Sequence, residues 1–100
     1  MDQIEFLATL QTVIQERLRN PTDSSYTARL AEGGEKKVAQ KLGEEAVEVV
    51  VAAMAEDASR LTEEAADLLY HLLVLLSVKG LSIADVVGEL ERRHLARVSA

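Results

Sequence analysis

Apolar residues recur at three- and four-residue steps along most of this chain, the period of helices with one buried face. Ile4, Leu7, Ile14 and Leu18 share a stripe that Phe6, Leu10 and Val13 widen, which predicts a first helix from about Asp2 to Arg19. Asn20-Pro21 ends it, because the residue before a proline is pushed out of the α region. The stretch from Thr22 to Gly34 breaks the pattern. Rich in Ser, Thr and Gly, it reads as a long loop of the kind that often carries function. Periodicity resumes at Glu35, where Val38, Leu42, Val49 and Met54 predict a second helix to about Glu56. A short turn from Asp57 to Leu61 leads to a third helix, Thr62 to Lys79, closed by Gly80 as a C-terminal cap. A fourth opens at Ser82, where Ser82 and Asp85 resemble a capping box with the shorter acid, and runs to about Arg97.

The third helix is unlike the others, since Leu68 to Leu76 is apolar nearly all round. Such a helix is buried on every side, and three other short helices are too few to cover it. A second copy of the chain would. The expected architecture is therefore all-α, a bundle of four to five helices completed by homodimerisation, with residues 1–100 forming one domain.

Composition narrows the chemistry. No cysteine occurs, which excludes disulfides and thiolate metal sites. The N-terminus lacks the basic start and long apolar run of a secretory signal, and the longest apolar stretch is too short to span a bilayer, so a cytoplasmic protein with no membrane partner is expected. A net charge of −6 argues against nucleic-acid binding, where a basic patch supplies most of the affinity. An anionic small molecule stays open, provided a metal and local basic residues offset the repulsion.

Two pairs of carboxylates at helical spacing carry the strongest signal: Glu45 with Glu48, and Glu64 with Asp67, separated by fifteen residues. Residues three apart on a helix share a face, so each pair points two oxygen donors one way. An unpaired anion in aliphatic surroundings is costly to desolvate. A divalent cation clamped between the helices would relieve that cost, and Mg²⁺ suits an all-oxygen site. Lys37, Lys41, Glu45 and Glu48 lie along one stripe with Glu44 beside them, and the like-charged neighbours in that run repel. A metal at the acidic end and an anion at the basic end, as in a metal-bound polyphosphate, would hold both. The plainer alternative is a solvated face, since Glu-x-x-Glu is common on helices. Glu63 and Glu64 also suit the first turn of a helix. Asp67, directly before the most apolar part of the chain, is harder to account for that way.

In the loop, Ser24, Ser25 and Thr27 offer hydroxyls, Arg29 a guanidinium fork, and Gly33-Gly34 a backbone that can approach a ligand. His71, one turn after Asp67, is within reach of a hydrogen bond there, as a supporting or interface residue. Tyr70 reads as packing with a hydroxyl that needs a partner, and Arg92, Arg93, His94 and Arg97 as cations suited to a helix C-terminus. No phosphate-loop signature and no nucleophile triad is present, which leaves hydrolysis by a metal-activated water.

SYTARLAEGGEKKVAQKLGEEAVEVVVAA followed by EEAADLLYHLLVLL resembles the phosphoribosyl-ATP pyrophosphatases of histidine biosynthesis. The carboxylate motifs alone belong to a wider group, the MazG-like all-α nucleotide pyrophosphatases. Ser25-Tyr26-Thr27, Gly34, Lys37, Lys41 and Ala66-Asp67-Leu68-Leu69-Tyr70-His71 narrow it to the histidine enzymes. The resemblance implies hydrolysis of phosphoribosyl-ATP to phosphoribosyl-AMP and pyrophosphate, with Mg²⁺ held by Glu45, Glu48, Glu64 and Asp67. It implies that Glu44, Glu45 and Glu48 serve catalysis, Glu44 binding metal or orienting the attacking water. Ser25, Tyr26, Thr27, Arg29, Lys37, Lys41 and His71 would surround the substrate, in a homodimer. Two rival readings remain at this level: a house-cleaning nucleotide pyrophosphatase using the same carboxylates, and a non-enzymatic helical interaction module.

Overall fold

The computed structural model describes residues 2–99. Among them five helices follow one another with no strand: α1 (Phe6–Arg19), α2 (Tyr26–Glu32), α3 (Glu35–Ala55), α4 (Ala58–Val78) and α5 (Ile83–Ser99). The all-α expectation holds. No single helix among the described residues is long and apolar enough to cross a membrane.

The core is small and drawn from four helices: Ile14 of α1, Leu30 of α2, Val38 of α3, and Leu73 and Val74 of α4, with Leu7, Leu10, Leu18, Tyr70, Leu75, Val78 and Ile83 packed around them. Only Glu56 and Asp57 separate α3 from α4. The two helices run antiparallel, as the ion pair between Lys79 just past the end of α4 and Glu35 at the start of α3 (3.1 Å) requires. This hairpin is the frame of the molecule.

Three element boundaries differ from those expected. The first helix begins at Phe6 rather than Asp2, because the Asp2 carboxylate draws the Glu5 N–H into a turn (2.9 Å). The stretch from Thr22 to Gly34 is not a long loop but contains α2, which Ser25 caps by accepting from the Ala28 N–H at 3.1 Å. Asp57 to Leu61 is not a turn. Asp57 caps α4 through the Arg60 N–H at 2.9 Å, so the helix starts at Ala58, four residues before Thr62. Gly80 does end α4: with φ of 77° it lets its own N–H reach the Ser77 carbonyl (3.1 Å) and that of Leu81 reach Leu76 (2.7 Å), a Schellman motif. Asp85 accepts from the Ser82 N–H (2.9 Å), as the capping box anticipated.

Gln11 is a buried polar residue in the apolar stripe of α1. Its amide nitrogen donates to the Leu73 carbonyl (3.1 Å) and to the Ser77 hydroxyl, while its oxygen accepts the Ile83 N–H (2.8 Å). One side chain thereby fastens α1 to α4 and satisfies an otherwise unpaired donor at the start of α5.

A single chain leaves much apolar surface uncovered. On α4, Leu68, Leu69, Leu72, Leu75 and Leu76 are only half-buried. Met54, expected on the inner face of its helix, is 82% exposed, and with Val47, Val50 and Val51 it forms an outward stripe on α3. Val87, Leu90, Leu95 and Val98 are exposed along α5. The radius of gyration, 15.3 Å, exceeds the ~13 Å of a typical 100-residue domain.

Candidate metal and substrate site

Midway along the α3–α4 hairpin, Glu45 from α3 and Glu64 from α4 are both buried, and Asp67 stands one turn beyond Glu64 at the surface. One oxygen from each of the three lies within 4.8 Å of the others. At that spacing two carboxylates repel by on the order of 3 kcal/mol even at an effective dielectric near 20. Positive charge must therefore sit among them. Helix position does not explain Glu64: with α4 starting at Ala58, it lies beyond the first turn, where the dipole has faded.

Each buried carboxylate holds a cation from one turn earlier on its own helix. The Lys41 ammonium lies 3.3 Å from Glu45 Oε1, and that contact raises the lysine pKa above its ordinary value. Arg60 presents Nη2 to Glu64 Oε1 at 2.5 Å and Nη1 to Glu63 at 2.8 Å, with Nε 3.7 Å from Glu56. Its pKa is also raised, by Glu63 first and then by Glu64. Three convergent carboxylates with only oxygen donors fit a hard divalent ion such as Mg²⁺.

The other acids expected here are placed differently. Glu48, one turn after Glu45, is exposed and lies outside the three-carboxylate group. Glu44 is exposed as well and accepts from the Gln40 amide at 3.2 Å.

The short helix α2 docks onto α4 beside this cluster. The Tyr26 hydroxyl meets His71 Nε2 at 2.7 Å, and His71 Nδ1 meets the Asp67 backbone carbonyl at 2.7 Å. A carbonyl only accepts, so Nδ1 carries the proton and Nε2 accepts from the tyrosine. Both ring nitrogens of His71, expected at the substrate, are thus engaged within the chain. Burial raises the Tyr26 pKa, against a lowering by nearby Lys41. Thr27 is fully buried and hydrogen-bonded to the Tyr70 hydroxyl, which supplies the partner that the tyrosine needed. Ser25 is committed to its cap. Arg29 is exposed and donates to the Asp23 carbonyl (2.9 Å). Lys37 is exposed in the first turn of α3, its stem so close to Gly33 that a Cβ there would come within 2.8 Å of Lys37 Cγ.

Residues 7–94 match the family model described as phosphoribosyl-ATP pyrophosphohydrolase. The chain belongs to that family. It is 60% identical over 89 residues to a protein of Pyrobaculum islandicum named phosphoribosyl-ATP pyrophosphatase, covering 89% of this chain and 95% of that one. Proteins of the same name from Metallosphaera sedula and Rhizobium rhizogenes are 52% and 51% identical, over 89% and 87% of this chain and 96% and 84% of theirs. The resemblance drawn from the motifs is correct.

Within that family frame, two participants escaped the sequence. Arg60 fell in the stretch read as a turn, so its i,i+4 relation to Glu64 went unused; Asp57 followed three residues later by Arg60 was the available signal. The Thr27–Tyr70 bond joins residues 43 apart, and no local pattern announces it.

Proposed function

We infer that this chain hydrolyses phosphoribosyl-ATP to phosphoribosyl-AMP and pyrophosphate, the second step of histidine biosynthesis. The observation that carries the reading is the meeting of Glu45, Glu64 and Asp67 on the α3–α4 hairpin of a chain in this family. Mg²⁺ held there would supply charge to neutralise phosphate oxygens and to lower the pKa of water. The set of metal-holding residues is Glu45, Glu64 and Asp67, with Glu48 one turn along α3 as the fourth. Glu44, facing solvent beside Glu45, orients the attacking water toward the α-phosphorus. Lys41, Lys37 and Arg29 take the phosphates, and Ser25, Tyr26 and Thr27 bring α2 against the substrate. His71 acts by holding Tyr26 and α2 to the metal helix rather than by touching substrate. Hydrogen bonds to developing charge at the leaving group lower the barrier where attack alone would not.

The same reading takes residues 1–100 as one catalytic domain working in the cytoplasm as a homodimer. The exposed apolar stripes of α3 and α5 and the half-buried leucines of α4 support the dimer. The deciding experiment is pyrophosphate release by the purified protein from phosphoribosyl-ATP, ATP and dUTP, with and without Mg²⁺. Release from phosphoribosyl-ATP alone, dependent on Mg²⁺, is expected. Release mainly from dUTP would move the activity to house-cleaning, and no release from any of them would leave an interaction module.

A further inference from the structure

The cations of the site are arranged with a symmetry that the carboxylate motifs do not require. Lys41 and Arg60 each sit one turn N-terminal to the carboxylate they hold, on helices that run in opposite directions. They therefore flank the acidic cluster from opposite ends of the hairpin. The Lys41 end is the one at which α2 docks, since Lys41 acts on the Tyr26 hydroxyl electrostatically. The Arg60 end lies toward the α3–α4 turn, because Arg60 is in the first turn of α4.

Arg60 is also divided in its attachments. Nη1 and Nε face Glu63 and Glu56, which stay available to it whatever happens at the cluster. Only Nη2 occupies Glu64. The Arg60 side chain is about half exposed, 47%, whereas that of Glu64 is 9% exposed, so the arginine is the partner with room to be displaced into solvent. A divalent ion on Glu64 would compete for that carboxylate and free one N–H edge of a guanidinium that Glu63 and, more loosely, Glu56 keep beside the cluster. A guanidinium edge is well shaped to accept phosphate oxygens.

We propose that Arg60 is the resident counter-cation of Glu64 in the metal-free protein, yields that carboxylate to the metal, and turns its freed Nη2 edge to the pyrophosphate end of the substrate. Lys41 would do the same for Glu45 at the opposite end, leaving a released cation on each side of the acidic cluster. This rests on the function proposed above and adds a leaving-group contact to it.

The two halves of the exchange predict opposite effects from one substitution. Arg60→Gln removes the competitor, so Mn²⁺ titrated calorimetrically into metal-free protein binds about fivefold more tightly. The same change removes a charge-assisted contact, so inorganic pyrophosphate binds the Mg²⁺-saturated protein about tenfold more weakly. Arg60→Lys keeps the charge and leaves Mn²⁺ affinity near that of the unchanged protein. Arg19→Gln, an equal change of net charge at an exposed pair on α1, shifts neither affinity. Asp57 caps the backbone of residue 60 rather than its side chain, so the helix start survives these changes. Shifts of the same sign in both titrations, or no shift in either, overturn the proposal. Failure of the unchanged protein to take up Mn²⁺ overturns the metal site itself, and the exchange with it.

Discussion

The middle of the α3–α4 hairpin and the length of α5 treat their side chains in opposite ways. In the hairpin, buried carboxylates are answered within the chain, Glu45 by Lys41 and Glu64 by Arg60. On α5, the ion pairs of Glu89 with Arg92 and Arg93 lie at the surface while Val87, Leu90, Leu95 and Val98 have nothing over them. The first region gathers three carboxylates within 4.8 Å of one another against Lys41 and Arg60. The second carries apolar surface that a single chain does not cover. Buried charge in one place and uncovered apolar area in another set where each substitution should act.

The largest effect should come from the hairpin. Glu45→Gln or Glu64→Gln removes a buried carboxylate from the cluster, and pyrophosphate release from phosphoribosyl-ATP should fall on the order of a thousandfold. Thermal melting of the metal-free variants should change little, since losing the Lys41 or Arg60 pair offsets the relief of carboxylate repulsion. Glu48→Gln sharpens the test, because Glu48 is exposed and outside the cluster. A loss as deep as that of Glu45→Gln would place it at the metal. Full activity in all three variants would remove the catalytic reading of the hairpin.

The second effect belongs to the apolar faces. Val50→Asp puts a charge in the exposed stripe of α3, and sedimentation should show the protein shift from twice the 10.9 kDa chain mass to that mass. A chain that sediments as a monomer before any substitution would show that these stripes have another occupant.

Gln11→Ala tests the joint between the two regions, since Gln11 is what α1 uses to hold α4 and the start of α5 together. Leaving the Ile83 N–H without its acceptor should cost about 1–3 kcal/mol in denaturant unfolding. Amide exchange should quicken at Ile83 and the first turn of α5 while the middle of α3 stays protected. Uniform loss of protection would mean that Gln11 supports the whole core.

How much of this was legible follows the range of the forces involved. The carboxylate spacing, the cap at Gly80 and the apolar run of α4 are local patterns, and all were readable. The helix α2 was not, because a helix of seven residues is too short to be stable by itself and Ser24-Ser25 and Gly33-Gly34 on either side read as loop. Burial of Thr27, Ala28 and Leu30 and the bonds to Tyr70 and His71 hold it in place. The start of α4 was missed by overlooking Asp57 as a cap, and with it Arg60. Nothing local marks Gln11, because its three partners lie more than 60 residues away.

The smallest effect is in alkaline solution, and its sign is set by two groups on the same side of the cluster. Lys41 has its pKa raised from 10.5 by the hydrogen bond and charge of Glu45, and Tyr26 has its raised from 10.0 chiefly by burial. In both, the folded chain keeps its proton at a pH where the unfolded chain has lost it. The stabilisation is therefore complete below about pH 10 and is lost as pH rises through the folded values. Lys41 is over a third exposed, so solvent screening keeps its share modest. Metal-free protein should show a shallow decline in melting temperature above pH 10. Lys41→Gln and Tyr26→Phe should each flatten it, and together remove most of it. Saturating Mg²⁺ should flatten the Lys41 share as well, because a metal on Glu45 displaces the lysine from the carboxylate that raises its pKa. A decline of unchanged slope in the double variant would show that neither group governs the alkaline limb.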